Sequence, residues 1–270
     1  MSVEVYVDAR AALGEGPRWD AQRGELLWVD IERGEVHRGQ DVTRFDERVG
    51  AAIPTTDGGL LVATASALVL DGRRVARFPH GPDIRANDGA CDPDGRFWVG
   101  SMALDERDGA GALHRYADGR LTTVLEGVGL SNGLGWSPDG TLMYYVDSNT
   151  GRVDVFDYDG ELANRRPFAR IEQGTPDGLA VDDDGGVWVA IWGGACVRRF
   201  DPDGTLVHEV AVPAEHVTSC CFGGDDRRSL FITTAAPDGR VYVTDAGVGG
   251  PPAQPFRSTA PSDAEPTSAR

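Results

Sequence analysis

Three amide and acidic side chains stand at one register in three segments of this 270-residue chain. Asn87, Asn132 and Asp177 each precede the glycine of an Asp-Gly turn (Gly95, Gly140 and Gly185) by eight residues. Glu15, in Gly-Glu-Gly-Pro, precedes Gly24 by nine, an offset that reads as a weaker turn in the first segment. Equivalent positions in repeated units converge when the units are arranged about an axis. Oxygen donors that converge with no His or Cys among them suit a hard divalent cation such as Ca2+, Mg2+ or Mn2+ better than Zn2+. A set of so few protein donors leaves room for water and substrate, as a catalytic metal requires. Taken singly, Asn132 and Asp177 would read as turn residues, because Asn-Gly and Asp-Gly are strong turn dipeptides. Their common register, each with its own turn downstream, favours a shared site.

The elements that must position these side chains are short strands. Residues 131–160 read as strand, turn, strand, turn, strand and turn, with apolar runs broken by Asp-Gly, Asn-Thr-Gly and Asp-Gly. The same grammar recurs at Asn87–Gly119 and Asp177–Gly204, and more weakly at Gly14–Gly39, Ala51–Gly72 and Thr218–Asp245. A period of about forty residues with several strands per unit is the signature of a β-propeller. The chain is therefore expected to be all-β, a six-bladed β-propeller with four-stranded blades and a central metal site. The fourth strands come from segments such as Arg120–Leu125 and Arg166–Ile171, and Val3–Val7 completes the last blade. The ring of channel-facing positions reads Glu15, a small residue at or beside Ala51, Asn87, Asn132, Asp177, and a hydroxyl at Thr218 or Ser219. One domain is expected over residues 1–257. Residues 258–270, rich in Ser, Thr, Ala and Pro, predict a disordered tail.

Composition excludes several function classes. The formal net charge is −17, and every one of the 26 basic residues is Arg. No basic footprint for nucleic acid exists, and anionic membrane surfaces are disfavoured. No apolar stretch approaches a membrane span, and the N-terminus reads as a strand rather than a signal peptide, so a cytoplasmic location is expected. Cys91, Cys196, Cys220 and Cys221 lack zinc-site spacing and read as buried free thiols. The five histidines are scattered and read mostly as surface or turn residues, with His216 placed to approach the channel mouth. Ser131 and Ser148 have no Gly-x-Ser-x-Gly elbow, which leaves serine hydrolysis unsupported. Trp192, after a second strand, is placed to enter the rim and stack on a sugar. Asp147 reads either as support for a metal site or as a strand-end hydrogen-bonding residue. Arg85 alone would read as a surface ion-pair residue.

Four motifs together resemble the gluconolactonase/regucalcin (senescence marker protein, luciferin-regenerating enzyme) family. They are Leu13-Gly-Glu-Gly-Pro-Arg-Trp19, Arg85-Ala-Asn-Asp-Gly89, Ser131-Asn-Gly-Leu-Gly-Trp-Ser-Pro-Asp-Gly140 and Thr175-Pro-Asp-Gly-Leu179, and the resemblance runs over about residues 8–257. It implies a metal-dependent lactonase that opens sugar aldonolactones, pentono- or hexonolactones, to aldonic acids. It also implies one divalent ion, Ca2+ foremost with Zn2+, Mn2+ and Mg2+ as alternatives, held by Glu15, Asn132 and Asp177. Arg85 and Asn87 would contact substrate, and Asp177 would pass the proton of the attacking water to the leaving ring oxygen. Some members carry an acidic substrate contact in the segment that here reads Leu104–Gly111, where Glu106 or Asp105 could substitute, although both are expected to face solvent. The implied partner is a small-molecule sugar lactone, and the expected state is a monomer or weak homodimer. Two alternatives stand beside this reading: a phosphotriesterase or aryl-ester hydrolase on the same scaffold, and a non-enzymatic Ca2+-binding propeller.

Overall fold

The computed structural model describes residues 2–258, which form six four-stranded antiparallel sheets. The single helical turn among the described residues is Ser148–Thr150. The fourth blade shows why these residues make these elements. Its second strand, Leu142–Asp147, lies between Ser131–Trp136 and Arg152–Tyr158 in its own sheet and is buried by the neighbouring sheets on its faces. It therefore reads as a continuous apolar run rather than an alternating one. The outer strand, Leu162–Arg170, is mostly exposed and carries Asn164 and three arginines.

The first strands of the six blades are Gly14–Asp20, Val49–Pro54, Ile84–Cys91, Ser131–Trp136, Thr175–Val181 and Val217–Gly223. Each packs on the first strands of its two neighbours, so together they line a central channel. The apolar core is divided into six clusters, one between each pair of adjacent blades. Leu27, Val29 and Ile31 meet Val49, Ala52 and Val62 between the first two blades. Ala11, Leu26 and Trp28 meet Cys221, Phe231 and Val241 where the last blade meets the first. Hydrophobic burial thus joins blade to blade and leaves the axis free to be polar.

The ring closes as the sequence predicts. Glu4–Val7 is the outermost strand of the sixth blade, paired with Val241–Asp245 through Glu4 opposite Val243 and Val5 opposite Tyr242. Thr218 Oγ1 donates to the Gly14 carbonyl at 2.5 Å, tying the sixth blade to the first near the axis. Of the tail expected over 258–270, Ser258 is described, with its hydroxyl bonded to Asp57. The remainder lies outside the described residues. The four cysteines are buried free thiols. Among the histidines His114 is the exception: it is buried, its ring set between Ser101 Oγ at 3.3 Å and Thr123 Oγ1 at 3.1 Å, and burial pushes it down to about 4. It serves the third blade's interior, not a surface or turn.

Neighbouring first strands approach so closely that some positions exclude any side chain. A Cβ on Gly50 would lie 2.5 Å from the Asn87 carbonyl oxygen and 2.7 Å from that of Ala86. Backbone cannot yield as a flexible side chain can, so Gly50→Ala must spread the second and third blades. We expect a loss of about 1–3 kcal/mol, the usual range for overpacking, measured by urea denaturation. A variant as stable as the parent would show that the ring opens without cost.

Candidate active site

A β-bulge in the first strand builds the site. In the third blade Ala86 pairs with Ser101 and Gly89 with Val99, so Asn87 and Asp88 together stand opposite Gly100. The same two-against-one step sets Asn132 and Gly133 opposite Val146 and Asp177 and Gly178 opposite Ala190. In the first blade it sets Gly16 and Pro17 opposite Trp28. A bulge bends the strand and re-aims the side chain beside it. The residue equivalent to Asn87, Asn132 and Asp177 is therefore Gly16, which lies eight residues before Gly24 like the others. Glu15 occupies the preceding place, that of Ala86, Ser131 and Pro176. This corrects the reading of its offset: the turn is regular, and the carboxylate reaches in from one position earlier while its Oε2 accepts the Gly16 N–H at 2.9 Å. In the second blade the bulge residue is Gly50 rather than Ala51, and in the sixth it is Thr218.

Glu15, Arg85, Asn87, Asn132 and Asp177 all line one cavity of about 290 Å³ at one end of the channel. The opposite end opens into a separate, more apolar cavity of about 260 Å³ that includes Cys91, Trp136, Cys220 and Cys221 but none of these five. The buried Glu15 and Asp177, at 5% and 7% exposure, are not neutralised by a salt bridge among the described residues. Burial first, then the charge of Asp88, pushes Glu15 up to about 8. Burial first, then the charges of Glu15 and Asp88, holds Asp177 well above the usual carboxylate range. Asp177 Oδ1 is buried with no hydrogen-bond partner.

A relay of hydrogen bonds runs across three blades beside these carboxylates. The Arg85 guanidinium donates to the Ala86 carbonyl at 3.0 Å and to Asn87 Oδ1. Asn87 Nδ2 donates to the Ser131 carbonyl and to Asn132 Oδ1, each at 2.9 Å. Asn132 Nδ2 donates to Ser148 Oγ at 2.9 Å, and Ser148 donates onward to the Pro176 carbonyl at 2.7 Å. With the Ser148 hydroxyl committed to Pro176, Asn132 must present its amide nitrogen to Ser148 and its oxygen to the site. Arg85 is buried and engages Ala86 and Asn87, so the surface ion-pair reading does not hold.

Two residues escaped the sequence reading, Asp88 and, in its cross-blade role, Ser148. Asp88 is buried beside Asn87, accepts the Gly89 N–H at 2.7 Å and faces Arg18 at 3.6 Å. Strand alternation would put Asp88 on the face away from Asn87; the bulge buries both. Ser148 acts across blades, which no local pattern reveals. Glu106, exposed as expected, nevertheless lines the cavity mouth, whereas Asp105 pairs with Arg107 at 2.7 Å. Asp147 has the strand-end role: its carboxylate accepts the N–H groups of Gly129 and Leu130 at 3.1 and 3.0 Å. Trp192 lines the cavity and His216 stacks on it.

The donor set can be tested for a cation on its own chemistry. Two buried carboxylates with no salt-bridge partner among the described residues, one of them with an unpartnered oxygen, whose burial outweighs the nearby charge of Arg85, fit a hard divalent ion beside an amide fixed by a relay. No group of three or more His, Cys, Asp and Glu side chains among the described residues is placed to hold a metal. The trio of Glu15, Asp177 and Asn132 is of another kind, because its third donor is an amide.

Residues 13–236 match the family profile described as the SMP-30/gluconolactonase/LRE-like region. The chain is 38% identical to regucalcin of Danio rerio over 256 residues, covering 87% of each chain. It is equally 38% identical over 256 residues to the pentonolactonase XacC of Haloferax volcanii, covering 88% of this chain and 87% of that one. Among solved structures it is similar to a calcium-binding protein, regucalcin, of Agrobacterium tumefaciens. There the TM-score is 0.91 at 27% identity, covering 95% of this chain and 98% of that one.

The carboxylate pair has a thermodynamic signature. Glu15 keeps its proton in the folded chain up to about 8, whereas its ordinary value is 4.5. Between those values the folded state binds more protons than the unfolded one, so stability must fall as pH rises through the window. In chelator-treated protein we expect Tm to drop from pH 5 to pH 8, and Glu15→Gln to flatten that drop. Added Ca2+ should raise Tm more at pH 8 than at pH 5, because cation and proton compete for the same oxygens. A parent profile no steeper than that of the variant would contradict a buried pair whose protons are held up by desolvation.

Proposed function

This chain belongs to the SMP-30/gluconolactonase/LRE-like family, and from that premise we propose that it is a divalent-metal-dependent hydrolase of sugar lactones. The observation that carries the proposal is the unpartnered Asp177 Oδ1, buried beside Glu15 in a cavity that also presents Arg85 and the Asn132 amide. Glu15, Asn132 and Asp177 would hold the ion, for which Ca2+ suits the all-oxygen set. When bound, such an ion supplies polarisation of the lactone carbonyl and acidification of a water.

The chain's own residues do the rest. Asp177 takes the proton from the water that adds to the carbonyl carbon. As the ring C–O bond breaks, the same carboxyl returns that proton to the departing oxygen, leaving the open hydroxy acid. Arg85 offers N–H groups to the carbonyl oxygen as it gains charge, or to ring hydroxyls. Asn87 holds the Arg85 guanidinium and the Asn132 amide in one geometry, which lowers the cost of ordering them when substrate binds. Glu106 at the mouth is placed to accept from a hydroxyl. The volume of the cavity is near the low end for ligand sites, in keeping with a single sugar ring.

One observation favours a second reading. Leu13, Met102, Leu130 and Trp192 also line the cavity, and such a surface would accept an aryl ester or phosphotriester. The values of kcat/KM for D-glucono-δ-lactone, a pentonolactone and an aryl ester rank the two readings.

We expect lactone hydrolysis, followed by acid release, to disappear on chelation and to return with added divalent ion. Asp177→Asn should lower kcat by about 10²–10⁴, the usual contribution of a positioned acid–base group. A hydrolysis rate unchanged after the metal is stripped would sink the proposal.

A further inference from the structure

Trp192 is the one aromatic residue lining this cavity among the described residues. It ends the second strand of the fifth blade, in register with Thr175, and is bridged on its other side to His216. The indole and imidazole ring centroids lie 4.2 Å apart and the ring planes are 9° from parallel. His216 is itself anchored, its Nδ1–H donating to the Ala236 carbonyl at 2.8 Å. Trp192 lines the cavity and His216 does not, so the imidazole backs the indole from outside. The same indole-on-imidazole stacking occurs at Trp28 and His37, but Trp192 is the tryptophan that lines this cavity. Trp98 and Trp188 sit in the packed interior with their N–H groups bonded to Asp92 and Asp182. Trp19 is stacked on Phe231, and Trp28 on His37.

A ring held flat from behind has given up its rotational freedom before any ligand arrives, so little more is lost on binding. A lactone ring has two kinds of surface, a hydroxyl rim and a C–H face. The rim finds hydrogen-bonding partners in Arg85, Glu106 and Asn149, which line the same cavity. The C–H face has no use for those groups. It carries the positive edge of C–H bonds and suits the negative face of an indole. We infer that Trp192, backed by His216, is the platform on which the C–H face of the sugar lactone stacks, and that it sets the preference for cyclic sugars. The inference rests on the reading of this cavity as a lactone site. It assigns Trp192 to substrate affinity rather than to bond making, and His216 to positioning of the indole.

The test uses the full chain loaded with Ca2+, with two readouts. One is turnover of D-glucono-δ-lactone; the other is equilibrium binding of 1,5-anhydroglucitol, a ring of the same shape with no carbonyl to hydrolyse. For Trp192→Ala we expect KM and the dissociation constant each to rise about tenfold, a stacking contribution at the upper end of aromatic pairs, with kcat within about twofold. Trp192→Phe should stay within about threefold of the parent. His216→Ala should raise KM by about threefold and His216→Phe should restore it, because a phenyl ring can back the indole as an imidazole does. Ca2+ affinity should be unchanged throughout. Unchanged KM and binding in Trp192→Ala overturn the platform and leave the hydrolase standing. So does a fall in kcat alone, which marks a structural role. A parent that binds 1,5-anhydroglucitol through Trp192 but hydrolyses no lactone keeps the platform and removes the hydrolase. A parent that neither binds nor hydrolyses removes both.

Discussion

Two carboxylates that share one buried place, Glu15 and Asp177, are the constraint on which the rest of this structure turns. Each would be better solvated in water, and each makes the other's ionisation harder. A third buried carboxylate, Asp88, adds to the same field, with Arg18 beside it as counter-charge. The apolar clusters between the blades supply the rigidity that holds this arrangement together. Because they lie in the wedges of the ring and not on its axis, polar groups at the axis interrupt no apolar contact. Six first strands, each bent by a bulge near one end, then bring side chains from the first, third, fourth and fifth blades into one cavity.

The relay from Arg85 through Asn87, Asn132 and Ser148 to Pro176 is the second half of the same design. An amide can turn over at little cost when its neighbours accept either end. Here the hydroxyl of Ser148 is committed to a carbonyl, and the guanidinium of Arg85 can only donate. Asn87 and Asn132 are therefore locked in sense, with Asn132 Oδ1 accepting from Asn87 and its amide nitrogen turned to Ser148. A network whose members are all satisfied specifies one geometry. It fixes the orientation of the Asn132 amide in the same cavity that the two carboxylates line.

The parts of this arrangement legible in the sequence are those that obey local rules. The repeat is visible because a strand buried on both faces must be an apolar run and a tight turn needs Asp-Gly, so six copies of both stand out. The register of Asn87, Asn132 and Asp177 is visible because the distance from bulge to turn is fixed by the length of the first strand. Glu15 is visible by its near-register and by the motif Leu13–Trp19, but its one-residue offset reads there as a weaker turn. Distance alone cannot show that the bulge in that blade falls on a glycine and that the acid comes from the residue before it. Asp88 was hidden by the same device, since a bulge suspends the alternation that would otherwise predict its facing. Ser148 and the burial of His114 depend on which blades stand side by side, and no pattern within one repeat carries that information.

The molecule supplies its own standard for judging Asp177. Asp182 is buried and accepts from the N–H groups of Asp184 and Gly186, from the Trp188 indole and from Arg199, at 2.7–3.0 Å. Asp92 repeats this with Asp94, Arg96 and Trp98. Asp30 takes three backbone N–H groups and Asp147 two. Where this fold buries an aspartate to hold a turn or a strand end, it surrounds the carboxylate with donors. Asp177 is as buried as Asp147, and one of its oxygens has none. A structural role would have no reason to leave that oxygen bare, since a single serine or backbone N–H would remove the penalty. The missing donor is consistent with a place kept for a cation, which a donor's proton would repel. The contrast within one chain argues for the cation more strongly than the acidity of the protein as a whole, because net charge says nothing about where a carboxylate has been left unsatisfied.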